Sequence, residues 1–451
     1  MNTLLILGAS GDLTSRLLLP GLGSLLTSDT KGDLELIGAA NASWGDARWR
    51  QVVATSFASV QAHGPRVDAV VQGTKYFAAD VTRAADLRRL LDACQGTPFI
   101  YFALPPAVSM SACKALGEVG IPGETRLVLE KPFGTDEASA RSFNALLAKL
   151  VPEEQIFRVD HFLGAPSVLN ILGVRFTNRL LEPLLNADHV ARIDVIFDES
   201  LALEGRAVYY DGSGAMVDMM QSHALQVLAL LTMDAPATLS ARDVRDTKSA
   251  LIHAIHLWND DPVKSSRRAR YTAGQVDGRQ LPSYVDEEGV DPSRMTETYA
   301  RVVLEIRNSR WAGVPVVLRA GKALDALRME VRITFKAPPL VPAGFSGQAT
   351  PDCLTIGIDP ARLELQLNAN GSADPTALRR ITLDAVPAPD RVPWYAEVLR
   401  TILDDDPVIC VRGDTAVDCW RIIDPVRDAW KRNAVPMDEY VAGSRALDWD
   451  S

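Results

Sequence analysis

The sequence predicts an α/β domain built on a parallel, doubly wound sheet, followed by a larger α+β domain with an antiparallel or mixed sheet. Up to about residue 175, short apolar runs alternate with helical stretches, which is the rhythm of βαβ units with right-handed crossovers. Later segments such as VARIDVIF and EVRITF alternate apolar and polar residues, as strands with one covered face do. The 451 residues exceed what one hydrophobic core normally takes, so we expect two domains, 1–172 and 173–451.

The elements follow from these periodicities. Apolar runs bounded by turn residues predict first-domain strands at Thr3–Leu7, Leu34–Ala40, Lys75–Ala79, Phe99–Leu104, Arg126–Glu130 and Gln155–Val159. Helical spacing predicts helices at Leu13–Leu26, Asp46–Gln61, Ala84–Ala93, Val108–Leu116 and Asp136–Leu150. In the second domain we expect strands at Val190–Phe197, Glu330–Phe335 and Leu363–Leu367, a helix at Ala215–Met233 and a loop at Pro338–Pro351.

Composition narrows the function classes. A formal net charge of -10 argues against nucleic acid and anionic membrane surfaces as main partners. The five cysteines form no CxxC pair, which favours free thiols in a reducing, cytoplasmic compartment. The N-terminus reads as a buried strand and not as a signal peptide, and no apolar run approaches the ~20 residues of a membrane helix.

A glycine-containing turn joins the first strand to the first helix. Glycines permit a tight turn and a close approach of the backbone to a pyrophosphate, and the following helix N-terminus attracts negative charge. An ordinary strand–turn–helix corner is the alternative, but the position at the start of a βαβ series favours a dinucleotide. The predicted cofactor residues here are Gly8, Ala9, Ser10, Gly11, Asp12 and Leu13.

The end of the second strand normally contacts the cofactor ribose, where an acid suits NAD and an arginine suits the 2′-phosphate of NADP. Here the strand ends at Asn41, which can bind a ribose hydroxyl but carries no charge. Arg48 and Arg50 follow within the next helix and are more simply interpreted as surface residues.

Several ordered segments together resemble the glucose-6-phosphate dehydrogenase family. They are GASGDL, EKPFG, RVDHFLG, YYDGSGAMVDMMQSHALQ, RDTK, EEGVDPSRMTETYA and RWAGVPVVLRAGKAL, which span roughly residues 5–335. The resemblance implies an α/β Rossmann-like N-terminal domain plus an α+β C-terminal domain with a large, mainly antiparallel sheet. It also implies a homodimer or homotetramer, hydride transfer from C1 of a hexose to NAD or NADP, formation of a lactone, and no metal.

The resemblance assigns three residues to catalysis. His223 matches the base that takes the hydroxyl proton, a role that suits the near-neutral pKa of histidine. Asp160 matches the carboxylate that orients it, as in other His–Asp pairs. Lys131 matches a lysine between substrate and nicotinamide, next to an expected cis Lys131–Pro132 bond. The alternative for His223 is a satisfied core histidine, and for Lys131 an ordinary lysine at a strand end.

Four further residues match substrate contacts in the family. Glu199 and Asp218 match carboxylates that accept hydrogen bonds from sugar hydroxyls, for which strong acceptors are suited. His161 and Lys322 match side chains on the phosphate and substrate side. The alternatives are a surface charge for Glu199, helix charge pairing for Asp218, and a strand-end surface charge for Lys322.

The sequence departs from the family at four cationic positions. The family's lysines or arginines are replaced by Leu17, Asn41, Ala165 and Leu327. Losing the two direct phosphate ligands, at Ala165 and Leu327, would remove roughly 3–6 kcal/mol, or on the order of 10²–10⁴ in affinity. Arg328, beside Leu327, or Arg179 could recover part of it.

Two substrates therefore stay open: glucose 6-phosphate bound by a rearranged basic set, or a sugar with a neutral or different C6 group. The neutral side chain at Asn41 favours NAD, or use of both cofactors. A non-catalytic sugar- or dinucleotide-sensing homologue is the competing function class. His253 and His256 are three residues apart but lack an evident third ligand, so a metal site is not expected.

Overall fold

The computed structural model describes residues 1–28, 32–371, 374–387, 393–445 and 447. The chain divides into two compact units, each assembled from three segments. Unit 1 comprises Met1–Pro166, Pro236–Ser249 and Asp390–Trp420, and unit 2 comprises Ser167–Ala235, Ala250–Pro389 and Arg421–Ser451. The first boundary lies close to the predicted one at 172. The two later segments of unit 1, however, carry no sequence signal that would assign them to it.

The sheet of unit 1 is parallel and doubly wound, as predicted. In the described part of the chain it has six strands: β1 (Asn2–Leu7), β2 (Leu34–Ala40), β3 (Lys75–Ala78), β4 (Thr97–Phe102), β5 (Arg126–Glu130) and β6 (Ile156–Val159). Their order is β3-β2-β1-β4-β5-β6. The strand order therefore reverses between β1 and β4, and in open parallel sheets ligands bind at the carboxyl ends beside such a reversal.

The α-helices occupy most of the predicted stretches. They are α1 (Leu19–Thr27), α2 (Asp46–Ser59), α3 (Pro65–Gly73), α4 (Ala84–Ala93), α5 (Pro106–Val119), α6 (Glu137–Leu147), α7 (Pro166–Phe176), α8 (Ala207–Ala215), α9 (Leu225–Thr232), α10 (Ala241–His253), α11 (Trp394–Leu403) and α12 (Gly413–Lys431). The sequence prediction missed α3, which begins with a proline in its first turn. No helix among the described residues is both long enough and apolar enough to span a bilayer.

Unit 2 is built on a large mixed sheet. The described strands of this sheet are β7 (Val190–Asp198), β8 (Ile255–Leu257), β9 (Ser266–Thr272), β12 (Tyr299–Ile306), β13 (Val316–Gly321), β14 (Arg328–Phe335), β15 (Cys353–Asp359), β16 (Arg362–Asn370), β17 (Leu378–Ala385) and β18 (Met437–Val441). A separate two-stranded antiparallel sheet consists of β10 (Gly274–Val276) and β11 (Arg279–Leu281). The large sheet runs β17-β16-β15-β14-β7-β13-β12-β9-β18, with β8 paired to β12. Most neighbours are antiparallel, while the pairs β7–β13 and β9–β18 are parallel. The carboxyl ends of β7 and β13 therefore lie side by side.

The predicted helix Ala215–Met233 is real but not uniform. It consists of a π-helix at Met216–Ala224, continued by α9, and it follows α8 through a kink at Gly214, whose φ is +68°. A second π-helix, Thr14–Leu18, precedes α1 where one continuous helix was predicted. Single π turns are rare inside helices and occur frequently at functional sites.

Candidate active site

The glycine turn lies where the strand order of unit 1 reverses. Gly8 follows β1 with φ +89°, and a Cβ there would lie 2.1 Å from the carbonyl oxygen of Ala103, directly after β4. Only glycine therefore fits this position without a rearrangement. The amides of Gly8 and Ala9 both donate to the Ala39 carbonyl, and the Gly11 amide donates to Gly8. Among the described residues the Ser10 amide has no backbone acceptor, so it can serve an anion.

The ribose-side position is exposed. Asn41 comes directly after β2, as predicted, and its side chain is open to solvent. Arg48 packs its guanidinium over the Trp44 ring at 5.7 Å, and Arg50 donates to the Val71 carbonyl. These contacts agree with the interpretation of both arginines as surface residues.

Lys131 follows β5, and its peptide bond to Pro132 is cis, as the resemblance implied. The preceding residue, Glu130, accepts hydrogen bonds from the hydroxyls of Tyr101 and Tyr395. Burial raises the pKa of Glu130 to about 7. The carboxyl end of β5 therefore carries a lysine beside a carboxyl group that is held by two tyrosines.

Asp160 and His161 follow β6, the next strand of the same sheet. Asp160 is 1% exposed, and its Oδ1 accepts the Phe162 amide at 3.1 Å, which starts a short 3₁₀ turn. The His161 ring stacks on Tyr395, with centroids 5.7 Å apart and planes at 13°. Asp160 lies in unit 1 and His223 in unit 2, so their pairing stays a prediction.

Sequence reasoning missed a buried basic cluster in unit 1. Arg158 and Arg245 both donate to Glu153 Oε1, at 2.7 and 2.9 Å. Lys248 is 1% exposed, and its Nζ has no hydrogen-bond partner within the described residues. Burial lowers the pKa of Lys248 to about 8, with repulsion from Arg245 adding to that effect and attraction from Asp160 opposing it. The RDTK segment was the available signal for this cluster.

In unit 2, the π-helix Met216–Ala224 carries two predicted site residues. His223 is 1% exposed, and Asp218 lies five positions earlier. Because a π-helix bonds residues five apart, these two positions lie about one turn apart. Asp218 accepts the Tyr209 hydroxyl at 3.1 Å. The π geometry therefore brings the candidate base and a candidate sugar ligand to one side of the helix.

Glu199 and Lys322 follow the neighbouring parallel strands β7 and β13, and the structure brings them together. Lys322 Nζ donates to Glu199 Oε2 at 2.7 Å, with both side chains largely buried. The ammonium also lies 5.3 Å from the centroid of the Tyr210 ring, at cation–π distance. A charge-assisted pair at the carboxyl ends of two central strands offers both donors and acceptors to sugar hydroxyls.

Arg328 lies near Asp198 rather than near Glu199. It begins β14 opposite Asp198, and its Nε lies 3.7 Å from that carboxylate, which Arg319 also binds at 2.7 Å. Asp198 and Glu199 are consecutive, and successive side chains of a strand point to opposite faces. Arg328 therefore pairs with Asp198 and not with the Glu199–Lys322 pair. Of the other positions in question, Arg179 and Leu327 are exposed and Ala165 is buried.

A buried carboxyl group holds the start of the π-helix, and sequence reasoning missed it. Glu297 Oε1 accepts the Met216 amide at 3.0 Å, and a Cβ on Gly214 would lie 2.4 Å from the same oxygen. Burial raises the pKa of Glu297 to about 7. Gly214 is therefore required for the close approach of this carboxyl group to the helix.

Comparison with known proteins supplies the family. The model described as glucose-6-phosphate dehydrogenase, NAD binding domain, matches residues 5–170, and that of the C-terminal domain matches residues 172–448. Glucose-6-phosphate 1-dehydrogenase of Gluconobacter oxydans is 36% identical, over 97% of this chain and 93% of the relative.

Solved structures agree over the full length. A glucose-6-phosphate dehydrogenase in complex with its substrate glucose-6-phosphate is similar with a TM-score of 0.87 and 29% identity, covering 99% of this chain and 96% of the other. The glucose-6-phosphate 1-dehydrogenase of Mycobacterium avium gives 0.86 and 31%, covering 98% and 94%. With both domain models matched in order, the chain belongs to the glucose-6-phosphate dehydrogenase family of NAD(P)-dependent oxidoreductases.

Proposed function

We propose that the chain oxidises the C1 hydroxyl of glucose 6-phosphate to a lactone, with NAD as the preferred hydride acceptor. The observation that carries the proposal is the π-helix of unit 2, which places His223 and Asp218 one turn apart. A hemiacetal oxidation needs a base for the hydroxyl proton next to groups that hold the sugar, and this helix offers both.

His223 takes the C1 hydroxyl proton in this proposal, and the buried Asp160 carboxylate orients the imidazole and stabilises its protonated form. Asp218 and the Glu199–Lys322 pair hold the sugar hydroxyls. Lys322 is already fixed by its 2.7 Å bond to Glu199, so little side-chain entropy is lost when a sugar binds.

The dinucleotide fits the glycine turn of unit 1, where a side chain at Gly8 would collide with the backbone after β4. Gly8, Ala9, Ser10, Gly11, Asp12 and Leu13 would surround its pyrophosphate, and Lys131 would lie beside the nicotinamide. When bound, the nicotinamide supplies the hydride acceptor. The exposed, neutral Asn41 supports NAD over NADP, because a 2′-phosphate would gain no charged contact there.

A hexose with a neutral or different C6 group is the second candidate substrate. It is favoured by the neutral Ala165 and Leu327, and by the engagement of Arg328 with Asp198. Glucose 6-phosphate is supported by the relatives, which carry that name. A rearranged phosphate site would require Arg328 or Arg179 to reach the C6 end.

Assembly as a homodimer or homotetramer through the unit 2 sheet belongs to the same proposal. The edge strand β17 exposes Ile381 and Leu383, two positions apart on one face. Exposed apolar side chains of this kind support a subunit interface on this face. Sedimentation velocity of the full chain measures the assembly.

A cytoplasmic location, suggested by free cysteines, is likewise proposed.

A kinetic matrix tests the function: glucose and glucose 6-phosphate, each with NAD and NADP. We expect reduction of NAD with glucose 6-phosphate, and a loss of at least 10³-fold in kcat for His223→Ala. His189→Ala is the matched control, because His189 is an exposed histidine of the same unit. Dinucleotide binding without turnover of any sugar would instead identify a non-catalytic, sensing homologue.

A further inference from the structure

Unit 2 contains a cavity of about 440 Å³ that the proposed reaction does not use. It is lined by Arg268 and by residues from three segments, 212–217, 293–297 and 427–433. Cavities that hold small molecules begin at about 300 Å³, so this one is large enough for a small ligand. We call it the arginine cavity.

The lining is strongly cationic. Among the described residues, four cationic side chains face it, Arg268, Arg294, Arg427 and Lys431, against one carboxyl group, Glu297. Because burial raises the pKa of Glu297 to about 7, that group is partly neutral near physiological pH. Three of these cations also pair with carboxylates, Arg294 with Asp211, Arg427 with Asp424 and Lys431 with Asp428. Arg268, by contrast, donates hydrogen bonds to neutral oxygens.

Arg268 is a buried cation whose hydrogen bonds leave one guanidinium nitrogen for a further partner. It is 2% exposed, and its hydrogen bonds go to neutral oxygens, the Val435 carbonyl and Asn433 Oδ1. Within the described residues these bonds use Nε and Nη2 but not Nη1. The guanidinium also packs over Trp430 at 5.7 Å, which fixes its plane. A buried charge costs free energy unless it is paired, and an anion at Nη1 would offset that cost.

Two further cations, Arg294 and Lys431, line the cavity with partly exposed side chains, at 52% and 67% exposure. Arg294 pairs with the buried Asp211 at 3.3 Å, whereas Lys431 pairs with the exposed Asp428 at 3.6 Å. An exposed pair such as Lys431–Asp428 holds a side chain weakly, so Lys431 can turn toward an anion that enters the cavity.

The arginine cavity shares a wall with the proposed catalytic helix. Met216 and Val217, the first residues of the π-helix, line it, and so does Glu297, which binds the Met216 amide. An anion in the cavity would interact with the charge of Glu297 and so with the first turn of that helix. Binding in the cavity and the order of the π-helix would then be coupled in both directions.

From these observations we infer that the arginine cavity is a binding site for a multiply charged phosphate compound, separate from the proposed substrate and cofactor sites. Several cations placed around one cavity match several phosphate charges better than one, which favours a polyphosphate chain over a singly charged anion. Any catalytic effect of this binding rests on the proposed function, whereas the binding itself does not.

The test is calorimetric titration of the full chain with inorganic tripolyphosphate. We expect saturable binding with one site, and about tenfold weaker binding for Arg294→Gln with Lys431→Gln. Lys264→Gln is the matched control, because Lys264 is 87% exposed and does not line the cavity. Equal weakening in the control, or unchanged affinity in the double variant, would overturn the assignment. Lys431→Gln alone gives the same comparison if the double variant does not fold.

Hydrogen exchange tests the coupling without any activity measurement. We expect tripolyphosphate to slow exchange of the amides of Met216–Ala224 in the parent chain and not in the double variant. Binding with unchanged exchange in this helix would refute the coupling. Failure of the proposed function would show separately, as an absence of turnover while tripolyphosphate still binds.

Discussion

Lys248 should lower the stability of the chain, and replacing it with methionine should raise that stability. Burial lowers the pKa of its ammonium from 10.5 to about 8. Keeping the charged form in the folded chain at pH 7 therefore costs about 3 kcal/mol relative to the unfolded chain. Methionine has a similar volume and no charge, so Lys248→Met should recover a large part of this free energy.

The sign of the pH dependence follows from the lowered pKa. Below pH 8 the lysine is charged in both states, so the full cost is present. Between pH 8 and 10.5 the folded chain releases the proton first, and stability of the parent rises with pH. The advantage of Lys248→Met should therefore be largest at pH 7 and smaller at pH 9.5.

Scanning calorimetry at both pH values measures this difference. We expect a Tm of Lys248→Met several degrees above that of the parent at pH 7. Lys264→Met, at an 87% exposed lysine, should change Tm little. A lower Tm for Lys248→Met at pH 7, or an equal gain at both pH values, would refute the reasoning. A stability gain accompanied by lower kcat would indicate that Lys248 is kept for function.

Four further predictions concern the two proposed sites and the helix cap. Gly8→Ala should weaken NADH binding at least tenfold, because its Cβ would lie 2.1 Å from a backbone oxygen; a fluorescence titration with an unchanged Kd would contradict the cofactor assignment. Asn41→Arg should shift the kcat/KM ratio toward NADP by about tenfold, and an unchanged ratio would exclude Asn41 as the discriminating residue. Ala165→Lys with Leu327→Arg should raise kcat/KM for glucose 6-phosphate more than for glucose, whereas equal effects would remove both from the phosphate site. The raised pKa of Glu297 means that the folded parent holds this proton more tightly than the unfolded chain, so the parent should lose stability as pH rises through 7. Glu297→Gln should remove this pH dependence. A Tm difference between Glu297→Gln and the parent that is the same at pH 5 and pH 8 would disprove this.

The sheet of unit 1 was predictable because a parallel sheet covered on both faces requires continuous apolar strands. β5 and α4 begin and end at the predicted residues, Arg126–Glu130 and Ala84–Ala93. The grouping of segments into units was not predictable, because it depends on contacts between residues far apart in sequence. The π-helix was also missed, since its apolar pattern resembles that of an α-helix.

The predicted site residues all come from sequence motifs, whereas residues whose importance depends on burial were missed. Glu297 and Lys248 lie within the quoted TETYA and RDTK segments, yet only their surroundings reveal the perturbed carboxyl and ammonium groups. Arg328 pairs with Asp198 because of the register between β14 and β7. The alternation of apolar and polar residues along each strand does not by itself predict that register.

Unit 1 includes two segments that come late in the sequence, Pro236–Ser249 and Asp390–Trp420, and this affects when it can fold during synthesis. His161 stacks on Tyr395, and a Cβ on Gly164 would lie 2.7 Å from the Trp394 carbonyl oxygen, so the end of β6 is packed by residues more than two hundred positions later. A ribosome must release most of the chain before this first unit can close. A fragment ending near residue 172 would lack that packing, so we expect it to be less stable than the complete first unit.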